Sequence, residues 1–349
     1  MNQFLKEIKE QPQALAYTAD YYETSEGKNT LQQISALWDS GQYHSIMFTG
    51  MGSSFFISTA AASLLNTRGI HASAVNAGEL LHYQYPAIDA RTLLVCISQS
   101  GESYEVIRLI QKLPKDITLL SICNEAESTL VKLSRHALLC KAGKEEKTST
   151  KTFITCYQAA YLLALTLCHQ KADASQWDKL SRGIDQMVNG NTPWMEQALN
   201  LIDGSTYVQL ISRGPSAAAA SQSALMFMEA VHTPASALLG GEFRHGPLEM
   251  VNERLVAILM AHSKSETYPQ SVTLAKDILK YGGKVIFITD SQPDFKGDKL
   301  CVVPVACELP ELLAIPGVVP VQLLINEWAG RLDIVPGEFV HGAKVTSIE

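Results

Sequence analysis

Short apolar runs alternate along the chain with longer stretches in which apolar residues repeat at helical spacing. This alternation predicts parallel β-sheets that are covered by helices on both faces. In the first half, strands are predicted near residues 45–49, 71–75, 93–98, 117–123 and 137–140. In the second half, strands are predicted near residues 207–212, 255–260, 284–289 and 301–305. The expected fold class is α/β, with two tandem doubly wound parallel sheets.

A polar turn follows the third predicted strand and precedes a helix. Gly101 lets the backbone of this turn approach a ligand closely, and the helix N-terminus adds unpaired N–H groups and a positive dipole end. The helix is predicted because apolar residues recur at positions 106, 109, 110 and 113, before Pro114. We therefore predict a phosphate-binding turn, with a plain capped helix as the alternative. Its neutral donors are Ser98, Gln99, Ser100 and Ser103.

An internal repeat supports two similar units. Residues 77–82, Ala-Gly-Glu-Leu-Leu-His, recur 163 positions later as residues 240–245, Gly-Gly-Glu-Phe-Arg-His. Residues 50–54 correspond to residues 212–216 at nearly the same offset. Residues 263–267 correspond to the phosphate turn but lack its glycine and its glutamine. We expect a duplicated unit whose first copy holds the phosphate, although chance similarity of such short motifs is the alternative.

The pattern also predicts domain boundaries. We expect an N-terminal helical segment over residues 1–43 and a phosphate-binding domain over 44–170. A helical linker over 171–205 then leads to a domain with acid and base groups over 206–335. Residues 336–349 are expected to form a tail that closes over the site.

Two further hydroxyl-rich segments stand where a phosphate pocket needs them. Gly52, Ser53 and Ser54 follow the first predicted strand, and Ser149 lies in Thr-Ser-Thr-Lys, which opens an apolar helix. In open α/β sheets, ligands bind outside the carboxyl ends of the strands, so these segments can converge with the turn at 98–103. All are therefore predicted to contact a phosphorylated substrate.

The second half of the chain offers groups for proton transfer. Glu229 ends an otherwise apolar helix, where partial desolvation raises the pKa of a carboxyl group and suits it to acid–base work. The alternative is that Glu229 caps the end of this helix at the protein surface. His245 can shuttle protons near neutral pH, although a lone histidine is more often structural. Lys344, taken alone, reads as a solvated charge near the C-terminus.

Composition excludes several classes of function. The chain has 349 residues, 46% of them hydrophobic, and a net charge of −7 without a basic run, so nucleic acid is not an expected partner. The seven cysteines contain no CxxC pair and predict reduced core thiols rather than a disulfide frame or zinc site. We expect no membrane span, no metal, no cofactor and a cytoplasmic location.

The motifs together resemble the sugar isomerase (SIS) domain family, whose modules are flavodoxin-like. The likeness is to the tandem-SIS isomerase half of glutamine–fructose-6-phosphate aminotransferase (glucosamine-6-phosphate synthase), and also to fructosamine-6-phosphate deglycases. It covers nearly the whole chain, and its first and last segments are quite specific to that branch. The segments that carry it are residues 6–12, 98–103, 149–151, 241–247 and 344–346.

The resemblance implies a role for each matching residue. The glutamate matching Glu229 moves a proton between C1 and C2 of the sugar, and the histidine matching His245 assists ring opening from the neighbouring subunit. The lysine matching Lys344 can form a Schiff base with the open-chain ketose, and the Ser149 position lies beside the substrate. We therefore expect a homodimer or larger oligomer. The residues that match the family's phosphate ligands are Ser54, Ser98, Gln99, Ser100 and Ser103.

The sequence also departs from the synthase. It has no N-terminal cysteine nucleophile and no glutaminase segment, so we expect no ammonia from glutamine within this chain. Met226 replaces a lysine of the synthase, and the segment 143–149 is one residue shorter. We expect an enzyme that acts at C1 and C2 of an amine-bearing hexose 6-phosphate, as a fructosamine-6-phosphate deglycase or a hexosamine-6-phosphate deaminase or isomerase. The alternatives are an aldose–ketose phosphosugar isomerase without amine chemistry and a catalytically silent sugar-phosphate sensor.

Overall fold

The computed structural model describes residues 1–341 and Lys344, which divide into two compact units. The first unit comprises Gln13–Asp178 together with His341 and Lys344. The second unit comprises Met1–Pro12 and Lys179–Val340. Half of the predicted tail, including Val345 and Thr346 of the last family motif, lies outside the described residues.

In the described part of the chain, each unit is built on one parallel sheet of five strands. The strand order in the first unit is β2-β1-β3-β4-β5, and the order in the second is β10-β9-β8-β6-β7. This arrangement confirms the predicted α/β class with two doubly wound sheets. The first sheet contains β1 (Ser45–Gly50), β2 (Ala72–Asn76), β3 (Thr92–Ser98), β4 (Leu119–Cys123) and β5 (His136–Leu139). The second contains β6 (Tyr207–Ser212), β7 (Ala235–Leu239), β8 (Leu255–Met260), β9 (Lys284–Thr289) and β10 (Leu300–Pro304).

Strand β7 is absent from the sequence-based prediction, which gave four strands in the second half. Its sequence, Ala-Ser-Ala-Leu-Leu, is short of β-branched residues, and three of its five positions are only partly buried. The hydrophobic pattern is therefore weak there. β7 pairs with β6 at the sheet edge, and it leads into Gly240-Gly241-Glu242 just as β2 leads into Ala77-Gly78-Glu79.

Helices connect the parallel strands and cover the sheets. The first are α1 (Gln3–Lys9), α2 (Gln11–Glu23), α3 (Ser25–Asp39), α4 (Ser53–Asn66), α5 (Ala77–Glu79), α6 (Tyr104–Lys112), α7 (Thr129–Leu133) and α8 (Lys151–Leu167). The others are α9 (Ala174–Asn189), α10 (Met195–Ile202), α11 (Ala217–Val231), α12 (Gly240–Arg244), α13 (Tyr268–Lys280) and α14 (Ala314–Arg331). A π-helical turn covers Leu80–Gln84, and 3-10 turns cover Tyr85–Ala87, Gly214–Ser216, Pro247–Met250 and Pro310–Leu312.

The two central strands place the turns that matter for function. Every position of β3 and of β8 is buried, which is typical of a strand that is covered on both faces in a parallel sheet. Residues at the carboxyl ends of these strands emerge from a rigid core. Ser98 therefore begins its turn from a fixed position, while the loop beyond it reaches the surface.

One helical stretch, Pro310–Arg331, is long and apolar enough to cross a membrane by length and composition. Most of it is buried within the protein, as is typical of a core helix. All seven cysteines are free, and five of them are buried. Burial raises the pKa of the Cys96 and Cys301 thiols to about 12, so these thiols stay protonated at neutral pH.

Candidate active site

The predicted phosphate turn links β3 to α6 as expected. The Ser98 Oγ accepts a hydrogen bond from the Gly101 N–H at 3.1 Å, and the Ser100 Oγ accepts one from the Glu102 N–H at 3.2 Å. These bonds hold the turn closed. A serine hydroxyl that accepts one hydrogen bond still has its own proton to donate, so both side chains keep a donor for an anion.

Ser103 stands directly before α6. Its hydroxyl donates to the Glu105 carboxylate at 3.1 Å, and its backbone C=O accepts the N–H of Ile107. Gln99 is half-buried in the same turn, and its C=O accepts the N–H of Asn124 at 3.2 Å. In this structure, Ser98 and Ser100 are thus better placed than Ser103 to donate to a ligand.

Gly101 is required by the geometry of the turn. Its φ is +65°, a conformation that residues with a Cβ rarely adopt. A Cβ atom at this position would lie 2.1 Å from the Ser128 Oγ and 2.4 Å from the Ser128 Cβ. Ser128 is itself held, because its Oγ accepts the Val131 N–H at the start of α7. Any other residue here would therefore strain the backbone and require Ser128 to shift.

The first strand brings a second hydroxyl-rich segment to the same edge of the sheet. β1 pairs with β3, and Gly52, with φ of +50°, precedes α4, whose first residues are Ser53 and Ser54. A Cβ atom on Gly50 would lie 2.8 Å from both the Ile97 C=O and the Ser54 Cβ. The start of α4 thus lies against the end of β3, next to the phosphate turn.

Asn124 ties the third segment to the turn. Its N–H donates to the Gln99 C=O, its side-chain oxygen accepts the Ala142 N–H at 3.0 Å, and its amide donates to the Gly143 C=O at 2.9 Å. The segment 143–149 then leads to Ser149 and α8. The phosphate turn, the start of α4 and the loop at Gly143 therefore lie at the carboxyl ends of the strands, and the chain runs on from Gly143 to Ser149.

A buried carboxylate organises the start of α8. Both oxygens of Glu145, whose side chain is fully buried, accept hydrogen bonds. Oε1 accepts from the Thr150 N–H at 2.9 Å, the Thr150 hydroxyl at 3.1 Å and the Thr152 N–H at 3.1 Å. Oε2 accepts from the Thr152 hydroxyl at 2.5 Å and from Lys344 Nζ at 2.6 Å. Glu145 therefore binds the unpaired N–H groups of this helix start and the predicted catalytic lysine.

Glu145 is ionised in this setting. Burial opposes its charge, but the ammonium of Lys344 and the hydrogen bonds from Lys344, Thr152 and Thr150 together lower the pKa of Glu145 below its ordinary value. A buried carboxylate of this kind stays charged only as long as its partners stay in place.

The second unit carries the predicted acid and base groups. Glu229 lies in the last turn of α11, where its side chain is half-buried and Met226, one turn earlier, is fully buried. His245 follows α12, its N–H donates to the Glu242 C=O, and its ring is exposed. The ring makes no hydrogen bond or ion pair within the part of the chain that the structure describes.

The second unit also has a turn at the place that corresponds to the phosphate turn. It follows β8, and its Ser263 donates both its N–H and its hydroxyl to the Asp290 carboxylate, each at 2.6 Å. Asp290 comes directly after β9, as Asn124 comes directly after β4. The Asp290 carboxylate therefore already accepts hydrogen bonds from two donors of this turn.

Sequence reasoning missed Glu145 and Asp290. Both stand close to the predicted motifs, but their partners are set by folding. Lys344 is 199 positions from Glu145, and Ser263 is 27 positions from Asp290. The change from Asn124 to Asp290 between corresponding strand ends is the signal that could have revealed the second of them.

The chain is similar to known proteins over most of its length. The family model of the SIS domain matches residues 42–165 and 202–298. A glutamine–fructose-6-phosphate aminotransferase from Pyrococcus horikoshii is 28% identical over 329 residues, which cover 92% of this chain and 53% of that protein. The chain spans about half the length of the curated relatives it matches.

Two solved structures share the fold. The C-terminal domain of glucosamine-fructose-6-phosphate aminotransferase from Francisella tularensis matches with a TM-score of 0.83 and 23% identity, over 97% of this chain and 98% of that one. Glucosamine-6-phosphate deaminase from Thermotoga maritima matches with a TM-score of 0.76 and 21% identity, over 99% of both chains. The family model covers most of each strand-rich segment, which confirms the resemblance seen in the sequence. The chain belongs to the SIS domain family.

Proposed function

We propose that this protein is an enzyme that acts at C1 and C2 of an amine-bearing hexose 6-phosphate. The observation that carries the proposal is the difference between its two turns. Donors of the turn at Ser263 are bound by the Asp290 carboxylate, whereas Ser98 and Ser100 accept backbone N–H groups and keep their protons. A phosphate group in the first turn would receive hydrogen bonds from those hydroxyls and from the N-terminus of α6.

The proposed chemistry needs only side chains and water. With the phosphate bound, His245 assists opening of the sugar ring. Glu229 then removes a proton from C1 of the open-chain ketosamine and returns it to C2. The C2 oxygen gains the proton that the amine nitrogen loses, so the C1–N single bond becomes an imine and the C2 carbonyl becomes a hydroxyl group. Water adds to the imine carbon, and the C–N bond breaks to release the free amine and the aldose 6-phosphate. Proton transfer by a positioned carboxylate contributes about 10² to 10⁴ in rate.

Two features favour an amine-bearing substrate. The motif Gly-Glu-Phe-Arg-His-Gly-Pro at 241–247 is similar to that of the deglycases, and Met226 removes a lysine that the synthase carries. An aldose–ketose isomerase without amine chemistry would use the same proton transfer by Glu229, so substrate trials must separate the two.

The test is a substrate panel with product analysis. The enzyme is incubated with fructosamine 6-phosphates, glucosamine 6-phosphate and fructose 6-phosphate, and ammonia, free amine and sugar phosphate are measured. Unphosphorylated fructosamine is the control. We expect release of an amine or of ammonia from a phosphorylated substrate only. Interconversion of plain hexose phosphates alone would favour the isomerase, and binding without turnover would favour the sensor.

His245 is proposed to serve the site of a neighbouring subunit in a homodimer. Its exposed ring, without a polar partner in the described chain, fits that role. Mixing Glu229→Gln with His245→Ala tests it, because a mixed dimer would then rebuild one intact site. We expect about one quarter of wild-type activity after subunit exchange, from the statistics of a two-fold dimer. No recovery in a sample shown to contain mixed dimers would place both residues in one subunit's site.

A further inference from the structure

Two hydrogen bonds hold the Lys344 side chain near the start of α8. Its Nζ donates to the Glu145 carboxylate and to the Lys147 C=O, each at 2.6 Å. The Glu145 side chain is fully buried, while that of Lys344 is 21% exposed. The lysine is the positively charged partner of a carboxylate that water cannot reach.

Glu145 depends on this lysine for its charge balance. Its other hydrogen bonds in the described chain come from hydroxyl and backbone N–H groups of Thr150 and Thr152, which carry no net charge. If Nζ moved away to attack a substrate carbonyl, Oε2 would lose its cationic partner and keep the Thr152 hydroxyl. An uncompensated buried carboxylate is costly. An Nζ that donates hydrogen bonds to Glu145 and Lys147 must also leave both partners before it can attack a carbonyl carbon.

We propose that Lys344 is an ionic anchor held by Glu145, and that it is not the carbonyl nucleophile of this enzyme. The part of this inference that concerns the nucleophile rests on the proposed function, because a substrate that brings its own amine at C1 needs no lysine to form an imine. Glu145 is then a positioning residue that acts through Lys344 and through α8.

The anchor also sets the direction of a hydrogen-bond chain that ends at Ser149. The Thr152 hydroxyl donates to Glu145 Oε2, since an ionised carboxylate only accepts. The Ser149 and Thr152 hydroxyls lie 2.8 Å apart, so Ser149 must donate to Thr152. Towards a bound sugar, the Ser149 hydroxyl can therefore only accept a hydrogen bond. It selects a substrate group that carries an N–H or O–H.

A double-mutant cycle tests the anchor without any substrate. The four proteins are the wild type, Glu145→Gln, Lys344→Met and the double variant, and unfolding in urea is measured at neutral pH. We expect the double variant to be at least as stable as Lys344→Met, because the glutamine removes the uncompensated charge. The matched control is the exposed pair Lys144 and Glu146. Substitutions of these two residues should have additive effects on the free energy of unfolding. Additive effects of Glu145→Gln and Lys344→Met on the free energy of unfolding would contradict the proposal that Lys344 is an anchor.

A trapping experiment tests the nucleophile. Borohydride is added during turnover of a fructosamine 6-phosphate, and Lys344→Arg is assayed alongside. We expect no sugar adduct on Lys344 by mass spectrometry, and turnover of Lys344→Arg within about tenfold of the wild type, since arginine keeps the charge. A trapped adduct with an inactive Lys344→Arg would overturn the inference. If the wild type turns over no ketosamine, the proposed function fails, while the cycle still decides whether Lys344 is an anchor.

The direction of the hydrogen bonds from Ser149 through Thr152 to Glu145 can be tested by measuring KM. Thr152→Val removes the hydroxyl that fixes the proton of Ser149, whereas Thr155→Val removes a buried hydroxyl that bonds to backbone C=O groups of α8. We expect Thr152→Val to raise KM for the amine substrate at least about threefold more than Thr155→Val does. Equal effects of the two variants would show that Ser149 is not oriented by this chain.

Discussion

The Asp290 carboxylate accepts two hydrogen bonds from Ser263, one from its N–H and one from its hydroxyl, both at 2.6 Å. Ser98 occupies the corresponding turn of the first unit. There β4 is followed by Asn124, whose side chain bonds to Ala142 and Gly143 instead. Each turn follows the middle strand of its sheet, β3 in the first unit and β8 in the second. One is filled by a carboxylate of the protein, and in the other the Ser98 and Ser100 hydroxyls accept backbone N–H groups. We propose that this turn of the first unit binds the phosphate of the substrate.

Loss of a serine hydroxyl in the first turn should therefore weaken binding of phosphorylated sugars. We expect Ser98→Ala or Ser100→Ala to lower affinity about tenfold to a hundredfold, because a hydrogen bond to a charged partner contributes about 1.5 to 3 kcal/mol. Isothermal calorimetry with a hexose 6-phosphate measures this. Ser263→Ala is the matched control and should leave the affinity unchanged. Equal affinities for all three variants would contradict the phosphate assignment.

Gly101→Ala should disrupt the same turn through two separable effects. A left-handed φ costs a residue with a Cβ about 1 to 2 kcal/mol, and the new Cβ also meets Ser128 at 2.1 Å. Gly69 has a φ of +79°, and a Cβ atom there would meet no other atom within 4 Å, so Gly69→Ala isolates the backbone effect. We expect Gly101→Ala to be the more destabilising in urea unfolding and to lose phosphosugar binding. Equal losses of stability would show that Ser128 moves aside freely.

The fold could be predicted largely from the sequence because its central strands are continuous apolar runs. β3 and β8 are buried along their whole length, and each leads directly into a polar turn. β7 escaped prediction because an edge strand rich in alanine and serine has a weak pattern. The 163-residue repeat contains the missing information, since it requires a strand before Gly240 as there is one before Ala77.

The site could be predicted only where its residues are neighbours in sequence. The turn from Ser98 to Ser103 carries its donors, its glycine and its helix start within one segment. The ion pair between Glu145 and Lys344 joins positions 199 residues apart, and no local pattern specifies it. Lys344 by itself reads as a solvated charge, and only the folded chain shows the buried carboxylate that binds it.

The stability contributed by Glu145 should depend on pH with a definite sign. Its folded pKa is lowered, so its stabilisation is present above its ordinary value of 4.5 and is lost as the pH falls through the folded pKa. At pH 7, the free energy of unfolding of Glu145→Gln should be lower than that of the wild type by about 3 kcal/mol, which is the scale for breaking a buried ion pair. This difference in unfolding free energy should become smaller as the pH falls. Urea unfolding at pH 7 and pH 4 measures it.

The neighbouring residue supplies the control for that experiment. Glu146 is about half exposed and pairs with the exposed Lys144 at 2.7 Å, so Glu146→Gln should change stability by less than about 1 kcal/mol at either pH. A gap between wild type and Glu145→Gln that stays constant from pH 7 to pH 4 would mean that the charge of Glu145 is not what stabilises the start of α8.

Glu229→Gln should separate catalysis from binding. The amide keeps the shape of the side chain but cannot take a proton, so we expect turnover to fall by about a hundredfold or more while the affinity for the phosphosugar changes little. The exposed Glu253 of the same unit gives the control, and Glu253→Gln should behave as the wild type. Steady-state kinetics and calorimetry on one preparation measure both quantities. Normal turnover of Glu229→Gln would make Glu229 structural, and a parallel loss of affinity and turnover would place it in ground-state binding.

Exchange of the C1 proton with deuterated solvent measures the role of Glu229 directly. A base that works at C1 must release that proton to water at least in part, because a carboxyl group exchanges its proton with solvent whenever water reaches it. We expect the wild type to exchange the C1 proton and Glu229→Gln to stop doing so, since the amide cannot remove it. Exchange that persists in the variant would assign the proton transfer to another group.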